Sequence, residues 1–238
     1  MAFAGFSSWT QRVSAVLLAS IGMGACSLSS QAAESPVIIT TPAVDNPKAA
    51  GSLQTAVLAG GCFWGVQGAY EHVRGVRKVM SGYAGGDKAT AHYQIVGSGR
   101  TGNAESVQIT FDPAEVSYGE LLRIFFSVIH DPTQLNRQGP DSGTQYRSAI
   151  FYGDESQKKV AESYIGQLNA AKVFRKPIVT SVDPLKGFYS AEDYHQDFLI
   201  HNPTYPYIVY NDLPKIENLK RVFPEYYRGQ PVTVTPDP

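Results

Sequence analysis

The stretch that most restricts the fold of this chain is a short apolar run that ends at two glycines and continues directly into a helical pattern. Residues 55–59, Thr-Ala-Val-Leu-Ala, have the length and composition of a buried strand. Gly60 and Gly61 allow a tight turn, because glycine adopts backbone angles that other residues avoid. Residues 62–73 then predict a helix that begins at Cys62. This succession of strand, turn and helix indicates a sheet with helices packed against it.

Further strand and helix patterns alternate along the rest of the chain. Strands are predicted at residues 76–83, 106–111, 148–152 and 177–182. Helices are predicted after the capping box of Ser117 and Glu120, over residues 154–172, and as a short final helix capped by residues 190–193. Long polar loops interrupt these elements at residues 85–100 and 131–147. The order predicts an α+β fold: a mixed β-sheet with packed helices, a two-layer ferredoxin-like sandwich core and long loops.

Charge and cysteine content exclude several classes of protein. The 238 residues have a formal net charge of −1, which gives no basic surface for nucleic acid. The two cysteines, Cys26 and Cys62, are too few for a disulfide-rich scaffold or a cysteine-rich zinc site. The hydrophobic share of 43% is ample for a packed core and argues against a largely disordered chain.

The N-terminus has the pattern of an export signal. Arg12 is the only charged side chain in the first 33 residues, and it precedes an apolar run at residues 13–25. That run is shorter than the roughly 20 residues that a membrane-spanning helix needs. We therefore predict a signal peptide over residues 1–32, cleaved after Ala32, and export to the periplasm. The alternative is a lipoprotein cleavage box at residues 23–26, with Cys26 lipidated.

Two proline-bearing segments flank the predicted folded domain at residues 53–228. Residues 33–52 contain three prolines and no sustained periodicity, which predicts a linker. Residues 229–238 contain three more prolines and predict an extended tail. If Cys26 is cleaved off or lipidated, Cys62 is the only free thiol of the domain.

Cys62 lies where a helix begins, and local evidence leaves two interpretations of it open. Free N–H groups and the helix dipole at that position favour a thiolate, the reactive form of cysteine, and Phe63 and Trp64 would wall a pocket for a small apolar group. Alternatively, Cys62 is a buried structural cysteine beside two core aromatic residues. Glu105 and Asp141 are likewise either functional carboxyl groups or exposed acids and caps.

Five motifs decide between these interpretations because they resemble one family. In chain order they are Gly60-Gly-Cys-Phe-Trp-Gly65, Gly82-Tyr-Ala-Gly-Gly86, Thr101-Gly-Asn-Ala-Glu105, Gln138-Gly-Pro-Asp-Ser-Gly-Thr-Gln-Tyr-Arg-Ser148 and Ala191-Glu-Asp-Tyr-His-Gln196. Together and in this order they resemble the A type of peptide methionine sulfoxide reductase, over about residues 55–207. The resemblance favours the reactive interpretation of Cys62.

The resemblance implies a reaction and roles for the residues nearest the thiol. Cys62 would attack the sulfur of the S epimer of methionine sulfoxide, free or in oxidised proteins and peptides, and would be left as a sulfenic acid when methionine departs. Glu105 would protonate the sulfoxide oxygen, which needs a carboxyl held protonated by burial. Phe63 and Trp64 would form the pocket for the methyl group on sulfur.

Four more residues correspond to site residues of the family. By the resemblance, Tyr93 and Tyr146 would bind the sulfoxide oxygen, and Asp141 would order the site through water or hydrogen bonds. Tyr207 matches an aromatic residue near the C-terminal end of the site. No cofactor and no metal are implied, and His195 would have a structural hydrogen bond, since metal-ligand spacing is missing around it. A monomer is expected.

Two departures from the family pattern concern charge and regeneration. Asn103 stands where the family motif has histidine, so a titrating group is lost there. No cysteine follows Cys62, although many members carry resolving cysteines in the tail, and the chain thus resembles a single-cysteine branch. We therefore predict that an external thiol, thioredoxin-like, glutaredoxin-like or small, reduces the sulfenic acid.

Two other classes of function remain as alternatives at this stage. A thiol hydrolase would use Cys62 activated by a histidine such as His195. A non-catalytic exported binding domain would use Trp64 and the tyrosines as an aromatic cleft.

Overall fold

The computed structural model describes residues 1–2, 35–48 and 51–235, and the last two ranges belong to one compact unit, residues 31–238. The predicted signal peptide and Cys26 lie outside the described residues, apart from residues 1–2. Within the described part of the chain, no helix is long and apolar enough to cross a membrane.

Strands and helices alternate along most of the compact unit. The strands are β1 (Gln54–Gly60), β2 (Val76–Ala84), β3 (Ala104–Phe111), β4 (Arg137–Gln138), β5 (Asp141–Ser142), β6 (Ser148–Tyr152), β7 (Ser181–Pro184) and β8 (Phe188–Ser190). The α-helices are α1 (Phe63–Glu71), α2 (Tyr93–Val96), α3 (Tyr118–Ile124), α4 (Glu155–Ala170), α5 (Phe198–His201) and α6 (Leu213–Val222). Two π-helical segments, Phe125–Ile129 and Ile208–Asp212, extend α3 and precede α6.

Six of the strands form one mixed sheet in the order β7-β6-β1-β3-β2-β8, and β4 pairs with β5 separately. The four central strands are antiparallel, and β7 pairs in parallel with β6. The element order β1-α1-β2-β3-α3-β6 together with the sheet order β6-β1-β3-β2 is the ferredoxin-like arrangement. The predicted α+β fold with a mixed sheet and packed helices is therefore confirmed.

The core lies between the sheet and its helices, and β1 runs through the middle of it. Alternate residues of β1, such as Ala56 and Leu58, join the large cluster with the helices, whereas Val57 and Ala59 face a smaller cluster on the other side of the sheet. Both faces of β1 are therefore buried, which explains its continuous apolar sequence. The capping box of α3 is present as predicted.

Residues 35–48, which belong to the segment predicted as a linker, pack against the helices of the domain. Residues 35–48 contain no helix or strand, but the Val37 N–H donates to the Ser127 carbonyl at 2.9 Å. Ile39 is 4% exposed and belongs to the main core cluster. Burial of a side chain of this size stabilises a fold by about 1.5–3 kcal/mol. This segment therefore contributes to the stability of the domain, which a solvated linker does not.

Residues 35–48, called the arm from here on, are also held by hydrogen bonds to α3 and α4. The hydroxyl of Tyr164 donates to the Thr40 carbonyl at 2.6 Å. The carboxylate of Asp45 accepts from the N–H of Gly119 at 2.8 Å and from the hydroxyl of Ser117, at the N-terminus of α3. The linker prediction therefore describes the conformation of residues 35–48 but not their packing, because the partners lie more than 70 positions away in sequence.

The C-terminal third differs most from the sequence predictions. Residues 190–193 do not cap a helix: β8 ends there, a 3₁₀ turn follows at Asp193–His195, and Asp197 has a positive φ of 52° before α5 begins. The predicted strand at residues 177–182 begins later, as β7, where pairing with β6 starts.

Helix α6 was not predicted. Residues 229–235 contain no helix or strand, and the N–H of Val232 donates to the Glu71 carbonyl.

Candidate active site

The site forms where the central strand β1 ends and α1 begins. Gly61 makes the turn with a φ of 95°, and Cys62 is the N-cap residue of α1. The sheet register pairs Leu58 with Val107 and Gly60 with Ser148. The end of β1 therefore lies between the beginnings of β3 and β6, which bring Glu105 and Tyr146 to the thiol.

The Cys62 thiol is protonated in this environment. Burial raises its pKa well above the ordinary value, and the nearby Glu105 and Asp212 carboxyl groups raise it further. The N–H of Trp64 lowers the pKa, as expected at a helix N-terminus, but that effect is smaller than the effect of burial. The helix start alone does not produce a resting thiolate, so the thiol must lose its proton in the course of the reaction.

Glu105 is a carboxyl group that keeps its proton at neutral pH. It is 3% exposed, and its Oε2 accepts the N–H of Phe63 at 3.1 Å, beside the thiol. Burial raises the pKa of Glu105 to about 8, against the lowering effect of the Phe63 N–H and with a smaller raising effect of Asp141. A protonated carboxyl next to a nucleophile suits general acid catalysis near neutral pH.

Three tyrosines complete the polar side of the site. Burial, with Glu105 next, raises the pKa of Tyr93 and of Tyr146, and both also respond to Cys62. The Tyr207 hydroxyl donates to the Asp141 carboxylate, and burial and then Cys62 raise its pKa. Tyr93 and Tyr146 therefore remain protonated and are able to donate hydrogen bonds to an oxygen atom near Cys62.

Aromatic rings form the apolar side. Trp64 stacks on Phe198 with ring centroids 3.9 Å apart and meets Tyr205 and Tyr207 edge-on at 6.3 and 6.0 Å. Phe63 and Trp64 directly follow Cys62, so aromatic rings as well as phenol and carboxyl groups lie near the thiol. Phe198 was not predicted from the sequence, in which its position three residues after His195 is a weak local signal.

His195 supports this wall. Its Nδ1 accepts the indole N–H of Trp64 at 3.0 Å, and its ring lies 4.4 Å from that of Tyr93. Burial lowers the pKa of His195, so the ring is neutral. This is the structural hydrogen bond that the sequence predicts. It uses the one acceptor nitrogen of the neutral ring, so His195 is not available to take the proton of Cys62 as a thiol hydrolase requires. Within the described residues, no group of three or more His, Cys, Asp and Glu is placed to hold a metal ion.

Asn103 has a structural position. Its side-chain oxygen accepts the Gly86 N–H at 3.2 Å, and its amide nitrogen donates to the Asp87 carbonyl and the Thr90 hydroxyl, each at 3.2 Å. These bonds tie the beginning of β3 to the loop before Tyr93. A neutral amide provides both the donor and the acceptor that this loop requires.

A buried acid, Asp212, is the main charged group that sequence analysis missed. It is fully buried and pairs with Lys215, with Oδ1 and Nζ 2.8 Å apart. The three-residue spacing of an acid and a lysine was available in the sequence, but a pair of this kind is common on exposed helix surfaces.

Comparisons with known proteins agree on one family. The family model described as peptide methionine sulfoxide reductase matches residues 54–226. The chain is 63% identical over 187 residues to peptide methionine sulfoxide reductase MsrA 2 of Mesorhizobium japonicum, covering 79% of this chain and 96% of that relative. It is 52% identical over 196 residues to MsrA 2 of Synechocystis sp., covering 81% of this chain and 92% of that relative.

Solved structures give the same result. The reduced form of Mxr1 from Saccharomyces cerevisiae is 34% identical with a TM-score of 0.57, over 64% of this chain and 87% of that one. Methionine sulfoxide reductase A of Corynebacterium diphtheriae is 32% identical with a TM-score of 0.54, over 71% of this chain and 88% of that one.

Proposed function

This chain belongs to the peptide methionine sulfoxide reductase family, and on that premise we propose that it reduces the S epimer of methionine sulfoxide, free or in proteins, to methionine. The observation that carries the proposal is the pairing of one thiol with one protonated carboxyl. Cys62 lies at the start of α1, and Glu105 is bonded to the next N–H of the same turn.

In the first half-reaction Cys62 is the nucleophile and Glu105 the general acid. The Cys62 sulfur attacks the sulfoxide sulfur while Glu105 donates its proton to the sulfoxide oxygen, and Glu105 takes up the proton that the thiol loses. The oxygen, now a hydroxyl group, then passes from the substrate sulfur to the Cys62 sulfur: the bond between the substrate sulfur and its oxygen breaks, the bond between the two sulfurs breaks, and methionine departs, which leaves Cys62 as a sulfenic acid. Methionine sulfoxide is reduced by two electrons and the Cys62 sulfur is oxidised by two, so the step balances.

The tyrosines and the aromatic wall orient the substrate. Tyr93 and Tyr146 donate hydrogen bonds to the sulfoxide oxygen, and Asp141 orders the site through the hydroxyl of Tyr207. Phe63 and Trp64 receive the methyl group on sulfur. An oxygen side and a methyl side at fixed positions around one sulfur distinguish the two epimers, because exchanging the two groups would bury the oxygen against the rings.

Regeneration requires a thiol from outside the chain. Cys62 is the free cysteine of the described residues, and no cysteine follows it in the sequence. A thioredoxin-like, glutaredoxin-like or small thiol attacks the sulfenic acid, forms a mixed disulfide and releases water. A second thiol then frees Cys62 as a thiol. No cofactor takes part.

We infer the setting of the reaction from the N-terminal pattern. The pattern of residues 1–32 supports export to the periplasm, with cleavage after Ala32 or, as the alternative, lipidation at Cys26. N-terminal sequencing of the exported protein distinguishes the two.

One experiment tests the activity and a second tests the regeneration. Wild type and Cys62→Ser are each given separated S and R epimers of methionine sulfoxide with dithiothreitol; only wild type with the S epimer is expected to release methionine. No turnover of the S epimer would refute the proposal. After one turnover without reductant, mass spectrometry should show a dimedone adduct at Cys62, whereas an intramolecular disulfide would overturn the external route.

A further inference from the structure

A buried ion pair that the reaction described above does not use lies beside the first turn of α1. The Lys215 ammonium is 2.8 Å from Oδ1 of Asp212 and also donates to the Asn211 carbonyl at 2.7 Å. Within the described residues, Oδ2 of Asp212 makes no hydrogen bond. Removing two charges from water is costly, so a pair like this is weak evidence for stability alone.

The carboxylate of Asp212 is seated on Gly65, three residues after Cys62. A Cβ at position 65 would lie 2.6 Å from Cγ of Asp212 and closer still to its Oδ1, so only glycine leaves room for the acid. Asp212 also ends the π-helical segment that begins directly after Tyr207. The contact therefore joins the turn that carries the nucleophile to the segment that carries Tyr207.

Apart from His130, the groups that sense the charges of this pair belong to the reaction site. Titratable groups that respond to the charge of one member or the other are Cys62, Glu105, Asp141, Tyr207 and His130. Burial is the largest influence on the pKa of each. The negative charge of Asp212 adds to the raised pKa of Cys62 and of Glu105, while Lys215 opposes the rise at Asp141.

We propose that Asp212 and Lys215 are a positioning pair for the reduction of methionine sulfoxide. The carboxylate, paired with the ammonium and seated on Gly65, holds the Tyr207 segment against the nucleophile turn and places a negative charge beside Cys62 and Glu105. That charge favours the protonated form of Glu105, which is the form that donates. The inference rests on the proposed function.

The test separates charge from packing in the first half-reaction. Methionine release without reductant is measured across the alkaline limb of the pH profile, where Glu105 loses its proton. Asp212→Asn removes the negative charge and keeps the shape, so this limb should move to lower pH by about one unit. Asp212→Asn/Lys215→Met also lacks the carboxylate but no longer carries the unpaired ammonium, so its limb should lie between those of Asp212→Asn and wild type.

A matched control is available on the surface. Glu155 and Lys158 on α4 have the same three-residue spacing but are exposed, with Nζ and Oε2 3.9 Å apart. Glu155→Gln and Glu155→Gln/Lys158→Met should leave the alkaline limb in place.

Gly65→Ala keeps both charges and displaces the carboxylate, and it serves if Asp212→Asn does not fold. Its rate of methionine release should fall at least tenfold, as expected for a small misplacement near the reacting atoms. An alkaline limb that stays in place in Asp212→Asn, a limb of the double variant that does not lie between those of Asp212→Asn and wild type, or a Gly65→Ala enzyme with the wild-type rate would overturn the inference. A wild type that releases no methionine would instead refute the proposed function.

Discussion

Replacing Glu105 with glutamine tests the acid role that burial gives to this carboxyl. The side chain is 3% exposed, and burial raises its pKa to about 8 from an ordinary value of 4.5. At pH 7 the protonated form thus outnumbers the ionised form by about ten to one. Glutamine keeps the shape and an oxygen for the Phe63 N–H, but it has no proton to transfer. General acid catalysis contributes about 10²- to 10⁴-fold, so methionine release should slow by that factor, about 3–5 kcal/mol of barrier.

The pH profile gives a second measure of the same role. Wild-type methionine release should fall as the pH rises through about 8, where Glu105 loses its proton. This alkaline limb should be missing in Glu105→Gln. Single-turnover release of methionine from the S epimer, quantified by chromatography, measures both rate and limb, with the exposed Glu162→Gln as the control. A Glu105→Gln rate within tenfold of wild type, or the same alkaline limb in both proteins, would refute the reasoning.

The raised pKa of Glu105 also predicts in which direction the stability of the wild type changes with pH. Between pH 4.5 and about 8 the folded state holds the Glu105 proton and the unfolded state does not. Folding then takes up a proton, so the wild type loses stability as the pH rises through this window, on the order of 3 kcal/mol by pH 7. Glu105→Gln has no such titration and should become more stable relative to wild type as the pH rises. Urea unfolding at several pH values measures the difference.

Three further substitutions test the pocket, the arm and the turn. Trp64→Ala removes the stacked wall of the methyl pocket and should raise KM for the S epimer about tenfold, measured by steady-state kinetics. Ile39→Ala should lower the free energy of unfolding by about 2–4 kcal/mol. The control is Ile38→Ala: the side chain of Ile38 is 73% exposed, so the free energy of unfolding should change by less than about 0.5 kcal/mol. Equal urea midpoints of the two variants would contradict the packing of the arm. Gly61 has a φ of 95°, so Gly61→Ala should lower the free energy of unfolding by about 1–3 kcal/mol and slow methionine release. Gly166 on α4 has open space around it, so Gly166→Ala should raise the free energy of unfolding by up to about 1 kcal/mol.

Local signals allowed the central part of the fold to be predicted from the sequence. The buried run of β1, the turn at Gly60 and Gly61, and the capping box at Ser117 each depend on neighbours within a few residues, so their patterns can be recognised in one stretch of chain. The strand ends then bring Cys62 and Glu105 together, because the sheet register fixes which ends are adjacent.

The parts that could not be predicted depend on contacts between distant segments. Nothing near Ile39 indicates that its side chain enters the core, since the helices it meets lie far along the chain. The seat of Asp212 on Gly65 joins positions 147 apart, and neither shows it alone. In the C-terminal third, the segment around residues 190–193 has helix-capping residues, but the pairing of β8 with β2 prevails over that local preference.

The two sides of the site belong to different parts of the fold, and these parts should differ in how easily they unfold locally. Cys62 and Glu105 are attached to the middle strands of the sheet, so amide hydrogens of β1 and β3 should exchange only on global unfolding. Tyr207 belongs to the segment leading to Ile208–Asp212, outside the sheet and next to the half-exposed Tyr205. Its amides should exchange through a smaller, less costly opening. One side of the site then keeps its geometry while the other moves away, which gives a partner as bulky as a protein thiol wider access to the partly exposed sulfur of Cys62.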